Sequence, residues 1–291
     1  MTLLNPLRKH CLNQVKTIAR KIFECIMHIS YRISALVHAD KVLYYCPCCK
    51  LKLIEFVDGK FYERPERYNP MLYKTCQQDV LCPFCNSLPR HRILATWCSQ
   101  HIDDLKGSRI LYFALEKGMK LWLKRNRLVY TTADLFFPAD LALDLNNIEQ
   151  DDNSWDIVFC NHVLEHVPDY RKALGELYRI LVPGGRLICS FPIDSNYETV
   201  FEDASLVQDE LPEVEQERIR KFGQKDHLRV FGRDSVKLLE AAGFSVTIID
   251  GDTMPASILP IVGPADYDSN KLFVCEKITN KKCVMIGNER Y

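Results

Sequence analysis

Two pairs of cysteines have the spacing of metal-binding turns. Cys46 and Cys49 are separated by two residues, as are Cys82 and Cys85, and each pair begins Cys-Pro. Two intervening residues let both thiolates reach one ion at about 2.3 Å, and two such turns complete a tetrahedral set. The four cysteines predict a structural Zn²⁺ site that holds a small ribbon together; a redox dithiol or two coincidental pairs are the alternatives. The residues that could serve as substitute ligands are Cys48, Cys76 and His91.

Three potential cations follow the second pair directly, in the segment Leu88-Pro-Arg-His-Arg92. Arginine side chains bind phosphate and carboxylate groups through paired hydrogen bonds, so this segment could hold an anionic group of a substrate. Alternatively, it begins a solvated helix whose arginine stems pack on the ribbon. The sequence favours neither interpretation over the other.

Acidic residues stand at the ends of consecutive predicted strands. Glu116 follows one strand, and Asp134 follows the next strand 18 positions later. This spacing is near the roughly 20 residues expected before an acidic residue that binds a ribose diol. Asp144 ends the strand after that, where a carboxylate can accept a hydrogen bond from an adenine amino group. Ligands of a doubly wound sheet bind beyond the carboxyl ends of its strands, so this placement favours a nucleoside ligand.

Strands and helices alternate from about residue 108, which predicts a doubly wound α/β sheet. Residues 156–160 form a near-continuous apolar run, as expected of a strand buried on both faces. Asp169 is a predicted helix N-cap, Pro183-Gly184-Gly185 is predicted to end that helix, and residues 195–232 are predicted to be an acidic, mostly helical insertion. The predicted helices are 119–125, 169–181 and 234–242. The predicted strands are 109–114, 128–132, 140–143, 156–160, 186–191, 244–249 and 271–277.

The segments 144–167 and 173–187 resemble class I S-adenosylmethionine-dependent methyltransferases of the type 11 family. The resemblance rests on Ser154-Trp-Asp156, His162-Val-Leu-Glu-His166 and Leu181-Val-Pro-Gly-Gly185, which occur in that order. It implies a Rossmann-like, seven-stranded methyltransferase sheet whose final strand runs antiparallel.

The chain further looks like the branch of this family that carries an N-terminal zinc-ribbon-like module. The cysteine pairs, the Pro-Arg-His-Arg segment and Phe222-Gly-Gln-Lys-Asp-His227 carry this part of the resemblance. It extends the similarity to about residues 44–250.

The resemblance implies a role for each matching residue at the strand ends. Asp134 would bind the ribose hydroxyls of S-adenosyl-L-methionine, and Asp144 with Leu145 would contact its adenine. Asn161 and His162 would lie under the methionine part and face the methyl acceptor.

One loop departs from the family pattern. The family has an acidic residue followed by Gly-x-Gly, whereas this chain has Phe113-Ala-Leu-Glu-Lys-Gly118 with a single glycine. S-adenosylmethionine carries no pyrophosphate, so a full phosphate-binding loop is not required. Glu116 and Gly118 are the expected cofactor contacts in this loop.

Methyl transfer to an oxygen or nitrogen atom requires a group that accepts a proton. The candidate bases are His162, His166 and His227. We expect His162 and His227 to be the catalytic residues. His227 lies beside Asp226 in the insertion that would cover the pocket. His166 is expected to cap or pack the following helix.

The predicted function is methyl transfer from S-adenosylmethionine to a small-molecule or saccharide-like acceptor. An RNA base methyltransferase is one alternative. A non-catalytic, zinc-containing binding platform with a degenerate cofactor site is another, and the altered glycine loop supports it.

The first 41 residues differ in composition from the rest of the chain. Seven Lys or Arg residues accompany only Glu24 and Asp40, and an apolar stripe recurs at helical spacing. The stripe comprises Ile18, Ile22, Ile26, Ile29, Ile33 and Leu36. We expect this basic amphipathic helix to pack its stripe on the body of the protein, and contact with an anionic membrane is the alternative. Residues 42–100 are predicted to be the zinc-ribbon-like module, and 101–291 the methyltransferase domain.

Overall composition narrows the class of protein. Lys plus Arg (38) balances Asp plus Glu (38), which argues against an obligate binder of duplex nucleic acid but leaves room for a local basic patch. Thirteen cysteines, an odd number, without a secretory signal favour a reducing, cytoplasmic compartment over a disulfide framework. No window of 18 uncharged apolar residues predicts a membrane span.

Overall fold

The computed structural model of this chain describes residues 6–41, 44–58, 80–207, 211–258, 267–268 and 270–278. The α-helices are α1 (Pro6–Val37), α2 (Pro89–Gln100), α3 (Ile102–Leu105), α4 (Lys117–Arg125), α5 (Tyr170–Ile180), α6 (Pro212–Phe222) and α7 (Ser235–Ala241). The strands are β1 (Tyr44–Cys46), β2 (Leu51–Leu53), β3 (Ile110–Phe113), β4 (Thr131–Ala133), β5 (Trp155–Asn161), β6 (Leu181–Ser190), β7 (Ile193–Asp194), β8 (Phe201–Glu202), β9 (Arg229–Val230), β10 (Phe244–Asp250), β11 (Tyr267–Asp268) and β12 (Lys271–Lys277).

A mixed sheet of six strands forms the centre of the described structure. Its strand order is β10-β12-β6-β5-β3-β4, and every residue of β3 is buried. β4, β3, β5 and β6 pair in parallel, whereas β12 runs antiparallel to both of its neighbours. The strand order reverses between β3 and β5, which is where a doubly wound sheet opens a crevice for ligands. This is the α/β methyltransferase fold that the resemblance implies, including its reversed last strand.

The predicted strand at residues 140–143 is wrong. Leu141 forms one isolated parallel bridge with Ala133, so the described sheet has six strands and not seven. Two carboxylates explain the difference. Asp140 Oδ2 accepts hydrogen bonds from the backbone N of Thr132 at 2.8 Å and from Thr132 Oγ1 at 2.7 Å, and Asp134 Oδ1 accepts from the backbone N of Phe136 at 2.9 Å. They occupy the backbone N–H groups on both sides of Leu141 with which a longer strand would pair.

The helix before β6 begins as predicted but ends differently. Asp169 is its N-cap, and Asp169 Oδ1 accepts a hydrogen bond from the backbone N of Lys172 at 3.0 Å. The helix ends at Ile180, and Pro183-Gly184-Gly185 lies inside β6, so these residues do not end it. They coincide with a shift in the β5–β6 register, where Gly184 takes a φ of +77°. The Pro-Gly-Gly residues that we assigned to the helix end therefore form an irregularity within β6.

The N-terminal helix packs on the ribbon with one face and exposes another. β1 and β2 pair antiparallel, α1 contacts β2, and the His28 ring meets the Phe84 ring edge-on at 5.2 Å. The apolar stripe does not pack on the body, so that prediction is wrong: between 52% and 78% of each stripe side chain is exposed. Among the described residues, no helix combines the length and the apolar composition needed to cross a bilayer.

The insertion at residues 195–232 is less helical than predicted. Its described part contains one α-helix, α6, and the two-residue strands β8 and β9, which pair antiparallel. The domain boundary between residues 100 and 101 stays a prediction, and the buried packing continues across it. Cys46, Trp97 and Tyr112 belong to one buried cluster, so the ribbon and the sheet share a core.

Candidate functional site

The four predicted zinc ligands converge in the structure. Their Sγ atoms all lie within 4.8 Å of one another, and all four residues are buried. Sγ of Cys46 is 3.6 Å from Sγ of Cys85, and Sγ of Cys49 is 3.7 Å from Sγ of Cys82. Zn–S bonds of about 2.3 Å in a tetrahedron give S···S distances of about 3.8 Å, so the thiols are spaced for such an ion.

The backbone builds both cysteine turns in the same way. The N–H of Lys50 donates to the carbonyl of Cys46 at 2.7 Å, and the N–H of Asn86 donates to the carbonyl of Cys82 at 2.8 Å. Lys50 and Asn86 both take left-handed backbone angles. Each turn therefore reverses the chain directly after its second thiol, which directs both pairs to one point.

The described substitute ligands lie elsewhere. Cys48 is outside the four-thiol group, and its Sγ donates to the carbonyl of His91 at 3.4 Å. His91 Nδ1 accepts from the backbone N of Leu88 at 3.1 Å, while Nε2 lies 3.2 Å from Glu116 Oε1. Cys76 lies outside the described residues.

Arg92 is a structural residue, which favours the second of the two interpretations that the sequence left open for this segment. Its side chain is fully buried and donates to the carbonyls of Ile258 at 2.6 Å, Val80 at 2.8 Å and Ser87 at 2.7 Å. Its guanidinium also stacks 3.9 Å from the centre of the Phe56 ring. Arg92 therefore ties together segments that converge on the ribbon.

Arg90 is the cation of this segment that faces the sheet. Its Nε is buried and finds no hydrogen-bond partner among the described residues. Burial raises the pKa of Glu116, but His91 and Arg90 lower it by more, so Glu116 ionises below its usual range. Tyr112 Oη donates to Glu116 Oε2 at 3.0 Å. Glu116 thus links the end of β3 to the ribbon.

The loop after β3 takes a backbone conformation typical of glycine, although it lacks the Gly-x-Gly pattern of the family. Ala114 takes a φ of +49°, in the left-handed region that glycine favours. Gly118 serves packing, because a Cβ there would lie 3.1 Å from Cβ of Ser87 and 3.8 Å from Sγ of Cys48. The predicted cofactor glycine therefore lies against the ribbon.

The predicted nucleoside-binding acids hold the loops that follow their strands. Asp134 Oδ1 accepts from the backbone N atoms of Phe136 and Phe137, both at 2.9 Å. Asp144 Oδ1 accepts from the backbone N of Asn146 at 2.8 Å, and the adjacent Leu145 is buried. These contacts fix the two carboxylates beyond β4 and its bridge.

The end of β5 carries two polar residues beneath the crevice. Asn161 Oδ1 accepts from Ser190 Oγ at 2.9 Å, while the buried Asn161 Nδ2 has no partner among the described residues. His162 has a φ of +53°, and its backbone N donates to the carbonyl of Ser190 at 2.7 Å. The left-handed turn redirects the chain directly after the strand.

His162 is paired with a buried acid. Its Nδ1 lies 3.1 Å from Glu165 Oε1, and its Nε2 is buried without a hydrogen-bond partner in the described part of the chain. Burial, assisted by the charge of Arg90, lowers the pKa of His162 to about 4. Burial raises the pKa of Glu165, but the imidazoles around it, His162 above all, lower it to about 2. At neutral pH the acid is therefore ionised and the imidazole is neutral.

The insertion brings His227 to the same place. The backbone N of Leu228 donates to the carbonyl of Glu165 at 2.9 Å, and the His227 ring lies 4.8 Å from the His166 ring. His227 is 3% exposed, and burial lowers its pKa to about 4. The structure therefore brings His162 and His227, our two predicted bases, close to Glu165, which the sequence analysis did not single out.

A buried arginine holds the insertion to the loop after β5. Arg229 donates to the carbonyls of Leu164 at 3.0 Å and Pro168 at 2.9 Å, and to that of Val167. Its Nε also lies 3.1 Å from Glu202 Oε2. This clamp fixes the loop that carries Glu165 and His166.

The family comparison matches this part of the chain. The type 11 family described as "Methyltransferase domain" matches residues 117–189, which confirms the resemblance there. The branch with an N-terminal zinc-ribbon-like module stays a prediction.

Curated relatives match over short segments. A demethylmenaquinone methyltransferase of Staphylococcus epidermidis is 48% identical over 46 residues, which are 16% of this chain and 19% of that protein. A demethylmenaquinone methyltransferase of Listeria monocytogenes is 40% identical over 67 residues, 23% of this chain and 28% of that protein. The chain therefore matches less than a third of the length of either relative.

Two solved structures are also similar. The 1,6-didemethyltoxoflavin-N1-methyltransferase of Burkholderia thailandensis, solved with bound 1,6-didemethyltoxoflavin and S-adenosylhomocysteine, is 15% identical, with 65% of this chain and 78% of that chain covered and a TM-score of 0.41. An S-adenosylmethionine-dependent methyltransferase of Mesorhizobium loti is 14% identical, with 63% and 97% covered and a TM-score of 0.42.

Proposed function

Because residues 117–189 of this chain belong to the type 11 methyltransferase domain family, we propose that the protein transfers a methyl group from S-adenosylmethionine to an oxygen or nitrogen atom of a small-molecule or saccharide-like acceptor. The observation that carries the proposal is the position of the polar residues that match the family. Asp134 follows β4, Asn161 ends β5 and His162 follows β5, beside the point where the strand order reverses. Ligands of doubly wound sheets bind at that point.

Two features of the chain fit the cofactor. The left-handed backbone of Ala114 reproduces the turn that glycine normally provides, so the altered loop is compatible with a bound nucleoside. The unpartnered Nδ2 of Asn161 is a buried donor that a ligand would satisfy. In this proposal Asp134 binds the ribose, and Asp144 and Leu145 contact the adenine. The free Nε of Arg90 binds a carboxylate group of a substrate.

His162 is the proposed proton acceptor. S-adenosylmethionine supplies an electrophilic methyl group on a sulfonium whose sulfur is already an activated leaving group. Glu165 beside Nδ1 holds the proton on that nitrogen, which leaves the lone pair of Nε2 to accept a proton from the methyl acceptor. His162 is preferred over His227 because it directly follows β5 at the carboxyl end of the parallel strands, whereas His227 belongs to the insertion.

The four cysteines are the proposed ligands of a structural Zn²⁺. They offer four buried thiols at tetrahedral spacing and leave no open position for a substrate. A bound ion would stabilise the ribbon, against which Glu116 and Gly118 are held.

Calorimetry with S-adenosylhomocysteine tests the proposal. The zinc-replete protein is expected to bind with micromolar affinity, and Asp134→Asn to bind at least about tenfold more weakly, because the amide keeps the turn to Phe136 but loses the charge that accepts from the ribose. Glu149→Gln, an exposed change outside the crevice, is the control. No heat from well-folded protein would contradict the methyltransferase proposal and favour the binding platform.

We also propose that α1 lies on an anionic lipid surface. Its stripe is exposed along the described face, while His28 and Tyr31 on another face pack against the ribbon. The helix contains six Lys or Arg residues and one Glu, so two copies would repel each other, whereas anionic lipid would attract it. The helix would thus hold the crevice near a membrane without spanning it.

A further inference from the structure

The geometry points to a divalent-cation site formed by Glu165, His166 and His227, separate from the cysteine centre. One carboxylate oxygen and one imidazole nitrogen from each histidine lie within 4.8 Å of one another. Two histidines and one carboxylate are a ligand set that holds a transition-metal ion and leaves coordination positions open.

The buried acid supplies the first argument. Glu165 has no exposed surface, its Oε1 faces His162 Nδ1 at 3.1 Å, and its Oε2 completes no hydrogen bond with the described residues. A buried carboxylate that has no counter-charge and has an oxygen without a hydrogen bond is strongly destabilising, so native structures rarely leave one in that state. The groups that face it are the imidazoles of His162, His166 and His227. A cation between the carboxylate and two of these rings would supply the missing charge.

The orientation of His166 supplies the second argument. Its Nδ1 lies 3.0 Å from the backbone carbonyl of Asp226, and the Asp226 carboxylate is 3.4 Å away. A proton on Nδ1 donated to that carbonyl leaves a lone pair on Nε2. Histidines that bind metals are characteristically held in this way by a carbonyl or carboxylate on the other nitrogen.

The third argument is that the ligands are positioned by different elements that lock together. Glu165 and His166 come from the loop after β5, whereas His227 comes from the insertion. The bond from Leu228 N to Glu165 O and the contacts of Arg229 join these segments. His227 Nδ1 is buried and has no hydrogen-bond partner among the described residues. The site is therefore preformed, while the partly exposed His166 gives an ion access.

The cation site indicates a class of methyl acceptor, and this part of the inference rests on the proposed function. A cation bound beside His162 would coordinate an acceptor hydroxyl and lower its pKa. The hydroxyl proton would pass to His162 Nε2, the oxygen would form the new bond to the methyl carbon, and the carbon–sulfur bond would break with its electron pair remaining on sulfur. The products are a methyl ether and S-adenosylhomocysteine. The acceptor is then a molecule with metal-coordinating oxygen atoms.

Mn²⁺ binding to the zinc-replete, full-length protein tests the site, because Mn²⁺ prefers oxygen ligands such as the Glu165 carboxylate to thiolates. The loss of the free-ion signal in electron paramagnetic resonance should show one bound Mn²⁺ per chain. Glu165→Gln and His227→Gln should weaken binding at least about tenfold. His38→Gln, which changes an exposed histidine at the end of α1, should bind like the wild type.

Two further measurements keep the outcomes distinct. Pulsed resonance on the wild type should show nitrogen couplings from two imidazoles, which requires no variant to fold. Mn²⁺ that stays free, Mn²⁺ without imidazole couplings, or folded Glu165→Gln that binds Mn²⁺ normally would overturn the site. Calorimetry with S-adenosylhomocysteine is run on the same samples. Cofactor binding without Mn²⁺ binding overturns only this inference, whereas Mn²⁺ binding without cofactor binding overturns the acceptor class together with the proposed function.

Discussion

Lys50 and Asn86 occupy the same position after their cysteine pairs and have nearly the same left-handed backbone, with φ of 57° and 56°. Each donates its N–H to the carbonyl of the first cysteine four residues earlier. Asparagine tolerates this region, but a β-branched residue does so only with strain. Both turns of the cysteine centre therefore depend on residues that the ligand spacing alone does not reveal.

The first prediction concerns Lys50. Lys50→Val should lower the free energy of unfolding by about 1–2 kcal/mol, because valine strongly disfavours positive φ. Lys50→Asn loses the same charge but accepts the backbone angle, so it should stay close to the wild type. Urea unfolding of the zinc-replete proteins measures the difference. Equal stability of the valine and asparagine variants would show that the backbone angle carries no cost.

The second prediction concerns zinc. Cys82→Ser should lower the bound zinc from one ion per chain and lower the Tm by roughly 10 °C, since the ribbon shares a core with the sheet. Cys25→Ser changes an exposed thiol and should keep both values. Elemental analysis and thermal unfolding measure them. Full zinc content in Cys82→Ser would remove Cys82 from the ligand set.

The third prediction concerns the clamp at Arg229. Arg229→Met leaves buried carbonyls of the loop after β5 without donors, so it should destabilise the protein by about 2–4 kcal/mol. Arg233→Met removes an exposed arginine paired with Glu198 and should have little effect. Chemical unfolding compares the two variants. A clamp variant as stable as the Arg233 variant would contradict the structural role assigned here.

The fourth prediction concerns the altered loop. Ala114→Gly should keep or strengthen S-adenosylhomocysteine binding, because glycine accepts the φ of +49° without strain. Ala114→Val should weaken binding and lower stability by about 1–2 kcal/mol. Calorimetry and thermal unfolding provide the measurements, with the exposed Ala142→Val as the control. Unchanged binding by the valine variant would separate this loop from the cofactor.

The fifth prediction concerns α1. The full-length protein should sediment with vesicles of phosphatidylcholine and phosphatidylglycerol, less with phosphatidylcholine alone, and less at high salt. The combined change Ile22→Asp and Ile29→Asp should abolish sedimentation, whereas Val129→Asp, at an exposed site on the body, should not. Light scattering detects a dimer. A lipid-independent dimer lost in the stripe variant would assign the stripe to a second copy of the chain.

Local sequence patterns predicted those helices and strands whose limits depend on nearby residues alone. The limits of β12 and the N-cap at Asp169 follow from local sequence, because an apolar run and a capping side chain act within a few residues. The failed strand at residues 140–143 depended on a longer contact. Asp140 had to meet Thr132 across the sheet edge, and nothing in the local pattern distinguishes that contact from a strand ladder.

The candidate site also has residues that local sequence predicts and residues that depend on distant contacts. Cysteine spacing predicted that the four thiols converge, since two short turns determine where their thiols lie. Arg92 could not be assigned from sequence, because an arginine that binds three carbonyls and one that binds an anion have the same neighbours along the chain. Glu165 was missed because its surroundings are supplied by His227, more than sixty residues away. The motif that contains it, His-Val-Leu-Glu-His, was the available signal.

The central claim is that the carboxyl ends of β3, β4 and β5 bind S-adenosylmethionine. The most direct test is a crystal structure of the zinc-replete protein with S-adenosylhomocysteine. We predict that the ribose lies against Asp134, the adenine against Leu145, and the amino-acid part beside Asn161 and His162. A ligand bound elsewhere on the chain, or a crevice that stays closed by the side chain of Ala114 at saturating ligand, would contradict the account.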